Sequence, residues 1–387
     1  PATLPDDLVL RVQRRLAADH AAPEPVALAR AVRAESSGVV DDTRMLVLIR
    51  QLEQELAGCG PLTGLLSDPR TTDVVVNSPR DVRVDRGSGW EPADVRFADE
   101  AAVQRLARRL AGLAGARLDD AHPFVDGRLP DGTRLHAVLP PVASTGTCLS
   151  LRVLRPARYD LAALRDAGML PGAGYPAVRA IVAARLAFVI SGGTGSGKTT
   201  LLGALLAQVK PSERIVTVED AEELHPLHPH LVRLVARGAN VEGAGAIGLR
   251  ELVRQALRMR PDRLVLGEVR GAEVVDLLGA LTTGHDGGAG TVHANSARDV
   301  PARLAALAAL GGMDRAALHA QLAGAVQAVL HLRRRGGQRQ LAEIAVLTDA
   351  GDGTVRAQTA LRDGVPCRPG ADLLGETLAA RGEPVPW

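Results

Sequence analysis

The spacing of apolar residues changes three times along the chain. Over residues 1–58 it is helical: Leu8, Val12 and Leu16 share one face, and Asp41-Asp42 precedes Met45, Leu48, Ile49, Leu52 and Leu56 as a cap precedes a helix. Gly58, Gly60 and Pro61 stop that pattern. Short strands follow at Asp73–Asn77, Val82–Val84, Gly127–Leu129, Leu135–Leu139 and Leu149–Val153, with a helix over 100–112 carried by Val103, Leu106 and Leu110. They predict a small α+β domain over 59–155, behind a helical N-terminal cap. Residues 156–176, rich in Gly, Pro and Ala, read as a linker. From 177 apolar strands alternate with helices, which implies an α/β domain built on a parallel sheet. Leu341–Leu347 and a glycine-punctuated tail add antiparallel strands to this domain, which runs to 387.

The most specific chemistry follows the first strand of the second domain. Ala187–Ile190 is an apolar strand, and Thr200–Leu206 continues as an apolar-faced helix. Between them Gly192-Gly193-Thr194-Gly195-Ser196-Gly197-Lys198-Thr199 fits the phosphate-loop pattern G-x-x-x-x-G-K-[ST]. Glycines let successive N–H groups approach phosphate, and the helix N-terminus adds its dipole. Lys198 would reach the β- and γ-phosphates, Thr199 would ligate Mg²⁺, and Thr200 belongs to the same nucleotide-binding turn. The motif in this strand–helix setting predicts a nucleoside triphosphate site, with ATP and Mg²⁺ as its ligands.

Further segments end predicted strands with polar groups. Arg214–Val218 leads into Glu219-Asp220-Ala221-Glu222-Glu223, carboxylates suited to hold Mg²⁺ and its waters. Arg263–Leu266 leads into Gly267-Glu268, where the usual Asp-Glu pair is reduced to one acid. Glu268 must then serve both the metal shell and the attacking water, with Glu219 as its nearest help. His285 and His293 stand eight apart around Gly287-Gly288-Ala289-Gly290, and an imidazole there can sense γ-phosphate. His225, His228 and His230 are interleaved with Pro226 and Pro229 and lack a companion ligand pair for a metal. Arg250, Arg254 and Arg258 form a stripe opposite Leu249, Leu252, Val253, Ala256 and Leu257, read as a solvated face, a subunit contact or a phosphate neighbour. Arg333-Arg334-Arg335 before Gly336-Gly337 reads as a solvated hairpin turn.

Composition narrows the class. With 46 Lys+Arg against 44 Asp+Glu there is no polycationic footprint, which argues against a nucleic-acid partner. Lys198 and Lys210 are the only lysines in an arginine-rich chain, so the lysine of the phosphate loop is a choice imposed by chemistry. Cys59, Cys148 and Cys367 are scattered and odd in number, which favours a reducing compartment. No apolar run approaches the ~20 residues of a bilayer span. The expectation is a soluble cytoplasmic protein without a signal peptide, reaching a membrane only through partners.

Taken in order, these segments resemble the secretion ATPases of type II and type IV systems, and most of all their tight-adherence pilus branch. The resemblance covers about 58–348 and rests on Gly60-Pro61-Leu62, Thr72–Asn77, Arg128–Gly132, Val216–Asp220, Leu257–Arg263, Gly267–Gly271, Thr283–Gly287 and Thr291–Asn295, together with the phosphate loop. It implies a RecA-like ATPase domain, a cytoplasmic homo-hexamer, and nucleotide held between N- and C-terminal domains. It also implies coupling to pilus assembly or secretion through inner-membrane platform proteins. It assigns Glu219 to an acidic box, Glu268 to the Walker B position and His293 to a histidine box, with Arg128, Arg134, Arg152 or Arg155 completing the site. Gly287–Gly290 is more glycine-rich than the family pattern. A conjugation-type DNA- or effector-transfer ATPase would share these boxes. A RecA-like nucleic-acid translocase would share only the core, and a small-molecule P-loop kinase would leave the N-terminal strands unexplained.

Overall fold

A computed structural model describes residues 6–19, 25–35, 41, 45–49, 52, 58–153, 160–238 and 244–387. The chain divides into two units, Pro1–Leu154 and Arg155–Trp387.

In the first unit the helices Asp6–Ala18 and Pro25–Glu35 bury Leu8, Val12 and Leu16 against Leu28, Ala31 and Val32, as helical spacing requires. Met45 and Leu52 join this cluster, and Asp41 O accepts from Met45 N at 2.8 Å. Asp42 and Leu56 of the expected capped helix lie outside the described residues. The strands are β1 (Asp73–Ser78), β2 (Asp81–Asp85), β3 (Trp90–Pro92), β4 (Phe124–Arg128), β5 (Arg134–Val138) and β6 (Cys148–Arg152). They form one antiparallel sheet in the order β3-β2-β1-β6-β5-β4. Alternation sends Val74, Val76, Val84, Leu135 and Leu151 to one face, where Val103, Leu106 and Leu110 of the helix Glu100–Leu113 cover them. Asp99 starts that helix by accepting from Ala102 N at 2.7 Å.

The second unit carries β7 (Phe188–Gly192), β8 (Ile215–Glu219), β9 (Leu231–Val235), β10 (Arg263–Leu266), β11 (Ala289–Val292), β12 (Ala328–Arg335), β13 (Gln338–Asp349), β14 (Val355–Arg362) and β15 (Val365–Pro366). Their order is β15-β14-β13-β12-β7-β11-β10-β8-β9. From β12 to β9 neighbours are parallel, and β13 to β15 extend the sheet antiparallel. β7, β8, β10 and β11 are buried along their whole length because helices cover both faces. Gly174–Ala183, Lys198–Leu206 and Gly370–Ala380 lie on one face. Leu249–Leu257, Glu273–Thr282, Val300–Leu310 and Arg315–Ala325 lie on the other.

Residues 160–176, expected as a linker, are built into this unit. Asp160 caps the helix Leu161–Asp166 by accepting from Ala163 N at 2.6 Å. Leu161, Leu164, Met169 and Leu170 are buried in the same core as β7, and Met169 O accepts from Leu341 N at 2.8 Å. The small residues that suggested looseness serve close packing: a methyl group on Gly172 would stand 2.6 Å from Gly364 O.

One buried ion pair ties the sheet to the helix Gly174–Ala183 and to the loop before β8. Arg263, 2% exposed at the start of β10, donates to Glu213 Oε2 at 2.9 Å and to Val182 O at 3.0 Å. Arg185 Nη1 approaches the same carboxylate at 3.1 Å. Removing one partner of a buried pair strands the other's charge, at a cost of about 3–5 kcal/mol. Arg263→Met is therefore expected to lower the unfolding free energy of the second unit in urea by that much, read as a fall in the midpoint at unchanged slope. A loss below about 1 kcal/mol would show that Arg185 alone satisfies Glu213.

Candidate functional site

Because β7, β11, β10 and β8 run parallel side by side, the residues after their C-terminal ends meet at one edge of the sheet. The phosphate loop leaves β7 there and passes through Gly197, at φ +96°, into the helix Lys198–Leu206. Lys198 is 8% exposed. Its Nζ donates to Gly192 O and Gly193 O, each at 3.0 Å, and lies 3.4 Å from His293 Nε2. That same Nε2 is 3.0 Å from Glu268 Oε1. His293 follows β11 and Glu268 follows β10, so adjoining strands bring both beside the loop.

These three groups compete. Burial pushes the Lys198 ammonium below its ordinary pKa, and the carboxylates of Glu268 and Glu223 oppose the shift. Burial and then the Lys198 charge hold His293 down against the pull of Glu268, so its imidazole is neutral at neutral pH. A neutral ring nitrogen either accepts or donates, so Nε2 cannot serve Lys198 and Glu268 at once. The ammonium has three N–H donors, and two of them already go to loop carbonyls. An entering phosphate would therefore exchange contacts that already exist, and the His293 bond is the weakest of the three by distance.

A second cluster surrounds the end of β8. Glu219 is 3% exposed; its Oε1 accepts from Glu223 N and Leu224 N at 3.0 Å each, and its buried Oε2 has no hydrogen-bond partner among the described residues. Burial pushes this carboxyl up to about 7 against the two backbone donors. Thr199 Oγ1 donates to Glu223 Oε2 at 3.3 Å. A methyl group on Gly267 would stand 2.7 Å from Glu219 Cγ, so an acid in that position would displace Glu219. The missing carboxylate before Glu268 is thus a packing consequence. The extra glycines before His293 have a like origin: a methyl group on Gly288 would stand 2.4 Å from Leu281 Cδ2 and 2.8 Å from Leu264 O.

No group of three or more His, Cys, Asp or Glu among the described residues is arranged as a metal cage. Mg²⁺ does not require one, since it keeps several waters and binds through one or two protein oxygens plus substrate phosphates. The Thr199 hydroxyl, the Glu268 carboxylate and the unpartnered Glu219 Oε2 are hard oxygen donors of that kind, so the residues fit the ion.

Other expected residues fall elsewhere. Gly193, Thr194 and Gly195 form the exposed crest of the loop, Ser196 is buried beneath it, and Thr200 continues the first helical turn. His285 Nδ1 lies 3.2 Å from Ala280 O, a local contact. His225 is held by Arg233, while His228, against Lys210 O, also accepts from His230 N at 3.2 Å, and the His230 ring meets Arg214. Arg250 and Arg254 both pair with Asp276, at 2.7 and 3.1 Å, so their stripe fastens two helices. Arg128, Arg134 and Arg152 lie side by side in one register row across β4, β5 and β6. Arg134 pairs with Asp126 at 3.1 Å and Arg152 with Asp73 at 3.0 Å. Arg155 lies outside the described residues. The Arg270–Asp220 ion pair beside the acidic cluster was not anticipated; its only signal is that each residue follows closely on a strand-end glutamate.

The Glu219 carboxyl links stability to pH. With the folded pKa near 7 and the unfolded value near 4.5, the native state binds more protons between these limits. Stability from this group is therefore present below about pH 4.5 and falls as pH rises to about 7, by on the order of 3 kcal/mol. Glu219→Gln is expected to flatten that part of the stability–pH curve in chemical denaturation. Parallel curves for the two proteins would place the titration elsewhere.

Comparison with known proteins supplies the lineage. Residues 55–362 match the family described as Type II/IV secretion system protein. A Mycobacterium tuberculosis H37Rv protein whose name assigns it to conjugal transfer is 63% identical over 328 residues, covering 83% of this chain and 93% of that one. The type IV secretion system protein PtlH homolog of Bordetella bronchiseptica is 36% identical over 257 residues, covering 60% of this chain and 75% of that one. Among solved structures, the Legionella pneumophila ATPase DotB shares the fold with a TM-score of 0.51 at 18% identity, over 85% of each chain. With most of its length inside one family model and a 63% identical relative covering 83% of it, the chain belongs to the type II/IV secretion system protein family.

Proposed function

We propose that this chain is a motor that hydrolyses ATP in the presence of Mg²⁺ to drive pilus assembly or protein secretion. The observation that carries the reading is the contact chain Lys198–His293–Glu268 at the ends of three adjoining parallel strands. The N–H groups of 193–199 bind phosphate oxygens, and the Lys198 charge stabilises the β- and γ-phosphates. Glu268 orients and polarises the water for in-line attack. Thr199 and Glu268 would hold Mg²⁺, with Glu219 behind them, and the ion would neutralise charge on the phosphates. When γ-phosphate draws Lys198 away, His293 Nε2 is released toward Glu268, so the imidazole reports the state of the nucleotide.

The motor works as a homo-hexamer at the cytoplasmic face of the membrane, coupled to inner-membrane platform proteins, in the manner of the tight-adherence pilus branch. Arg128, Arg134, Arg152 and Arg155 are proposed to supply further positive charge to the transition state. No helix among the described residues is long and apolar enough to cross a membrane, in keeping with attachment through partners. A second reading, a DNA- or effector-transfer ATPase of a conjugation or type IV system, is favoured by the name of the 63% identical relative. Pull-down with pilus platform proteins against conjugation coupling proteins separates the two.

Lys198→Ala is expected to weaken ATP binding by about 100-fold or more and to abolish turnover. Glu268→Gln is expected to keep ATP binding while turnover falls by about 10²–10⁴. Near-normal hydrolysis by either folded variant would overturn the site. For assembly, native mass measurement with nucleotide should give six subunits, and specific activity should fall on dilution. A fully active monomer would sink the ring.

A further inference from the structure

The arginine-rich hairpin of β12 and β13 ends in an exposed turn, as expected, and that turn stands beside the phosphate loop. Leu332 is paired with Gly192 on one side and with Leu341 on the other, so these three residues form one row across the sheet. β7 ends at that row, whereas β12 and β13 continue through the pairs Arg333–Gln340, Arg334–Arg339 and Arg335–Gln338. The hairpin therefore overhangs the start of the phosphate loop by about 10 Å. Leu341 is buried in the cluster that holds Leu201 and Leu205 of the helix behind the loop. Arg339, two residues before it, projects from the same face, one pleat further out. Its stem touches the loop: a methyl group on Gly197 would lie 3.2 Å from Arg339 Cδ and 2.9 Å from Met169 Cε.

Two anchors hold this arginine in place. Gln338 Nε2 donates to Ala167 O at 3.5 Å, and Leu341 N donates to Met169 O at 2.8 Å. Arg333, on the opposite strand, is occupied by Asp363. The Arg339 side chain is exposed, and its guanidinium makes no hydrogen bond or ion pair with the other described residues.

The sheet order also tells which end of a nucleotide this arginine meets. Glu268 and His293 follow β10 and β11, on one side of β7, and mark the γ-phosphate end. β12 and β13 lie on the other side of β7, away from those two side chains. We propose that Arg339 binds the α-phosphate of the nucleotide, as a third positive element beside Lys198 and the helix N-terminus. The inference rests on the nucleotide reading above. Arg339 contributes binding that is equal for ATP and ADP, and it takes no part in the cleavage of the γ-phosphate.

The test titrates the full-length protein with Mg–ADP and with a slowly hydrolysed Mg–ATP analogue by calorimetry, alongside steady-state hydrolysis. Arg339→Gln keeps the stem over Gly197 and removes the charge, and its unfolding midpoint should match the parent. A lost charge-assisted bond should weaken ADP and ATP alike by about ten-fold and raise KM similarly, with kcat held within about two-fold. Arg339→Lys should recover part of the affinity. Unchanged ADP affinity in Arg339→Gln would overturn the proposal, as would a loss confined to ATP. So would a loss that differs between ATP and CTP, which would place the guanidinium on the base. If the parent protein itself binds neither nucleotide, the underlying reading fails instead.

Discussion

The parallel pairing of β7, β11 and β10 is the constraint on which the candidate site depends. Ser191 is in register with Val292, and Gly290 with Leu266, so the three strands finish within a residue or two of one another. Side chains just past those ends then have no choice but to converge on the loop that follows β7. Slipping β11 by one residue would turn His293 to the other side of the sheet and break its contacts with Lys198 and Glu268. The register is held by burial: every residue of the three strands is enclosed by helices on both faces. It is also held by Thr291, whose hydroxyl donates to Gly267 O at 2.7 Å and whose carbonyl accepts from Val269 N.

Much of this was legible in the sequence because it is local. The phosphate loop is a contiguous motif, and β7, β8 and β10 are largely apolar runs that end in, or are followed at once by, glycine or glutamate. The first unit's strands declare themselves by alternation, since only one face of that sheet is covered. What stayed hidden depends on contacts between distant residues. β9 is a half-buried edge strand whose apolar run, Leu231–Val235, is masked by the histidines and prolines just before it. The helix Gly370–Ala380 follows Pro369 in a tail whose punctuation suggested turns, and Leu374 and Leu378 seat it in the core. Residues 160–176 carry the composition of a linker because tight packing and loose chain both favour small residues.

The same distinction applies to the site. Residue types at strand ends could be read one by one, but the contest for the single Nε2 of His293 could not, because it needs three strands in place. Gly267 looked like a lost acid when judged by its neighbours along the chain. Judged by its neighbour in space, Glu219, it is the opening that lets a buried carboxyl reach the strand end. The arginine row on β4, β5 and β6 gathers residues that the sequence scatters, and Arg134 and Arg152 in it pair with Asp126 and Asp73.

The segment that enters the second unit has a mechanical meaning. Met169 stands against Gly197 and is hydrogen-bonded to Leu341, so it is wedged between the phosphate loop and the hairpin beside it. A close-packed interior transmits displacement where a fluid would absorb it. The peptide from 160 to 170 therefore acts as a tether fixed to the loop. Displacing that peptide would disturb the packing against Gly197 at the point where the phosphate loop turns into its helix.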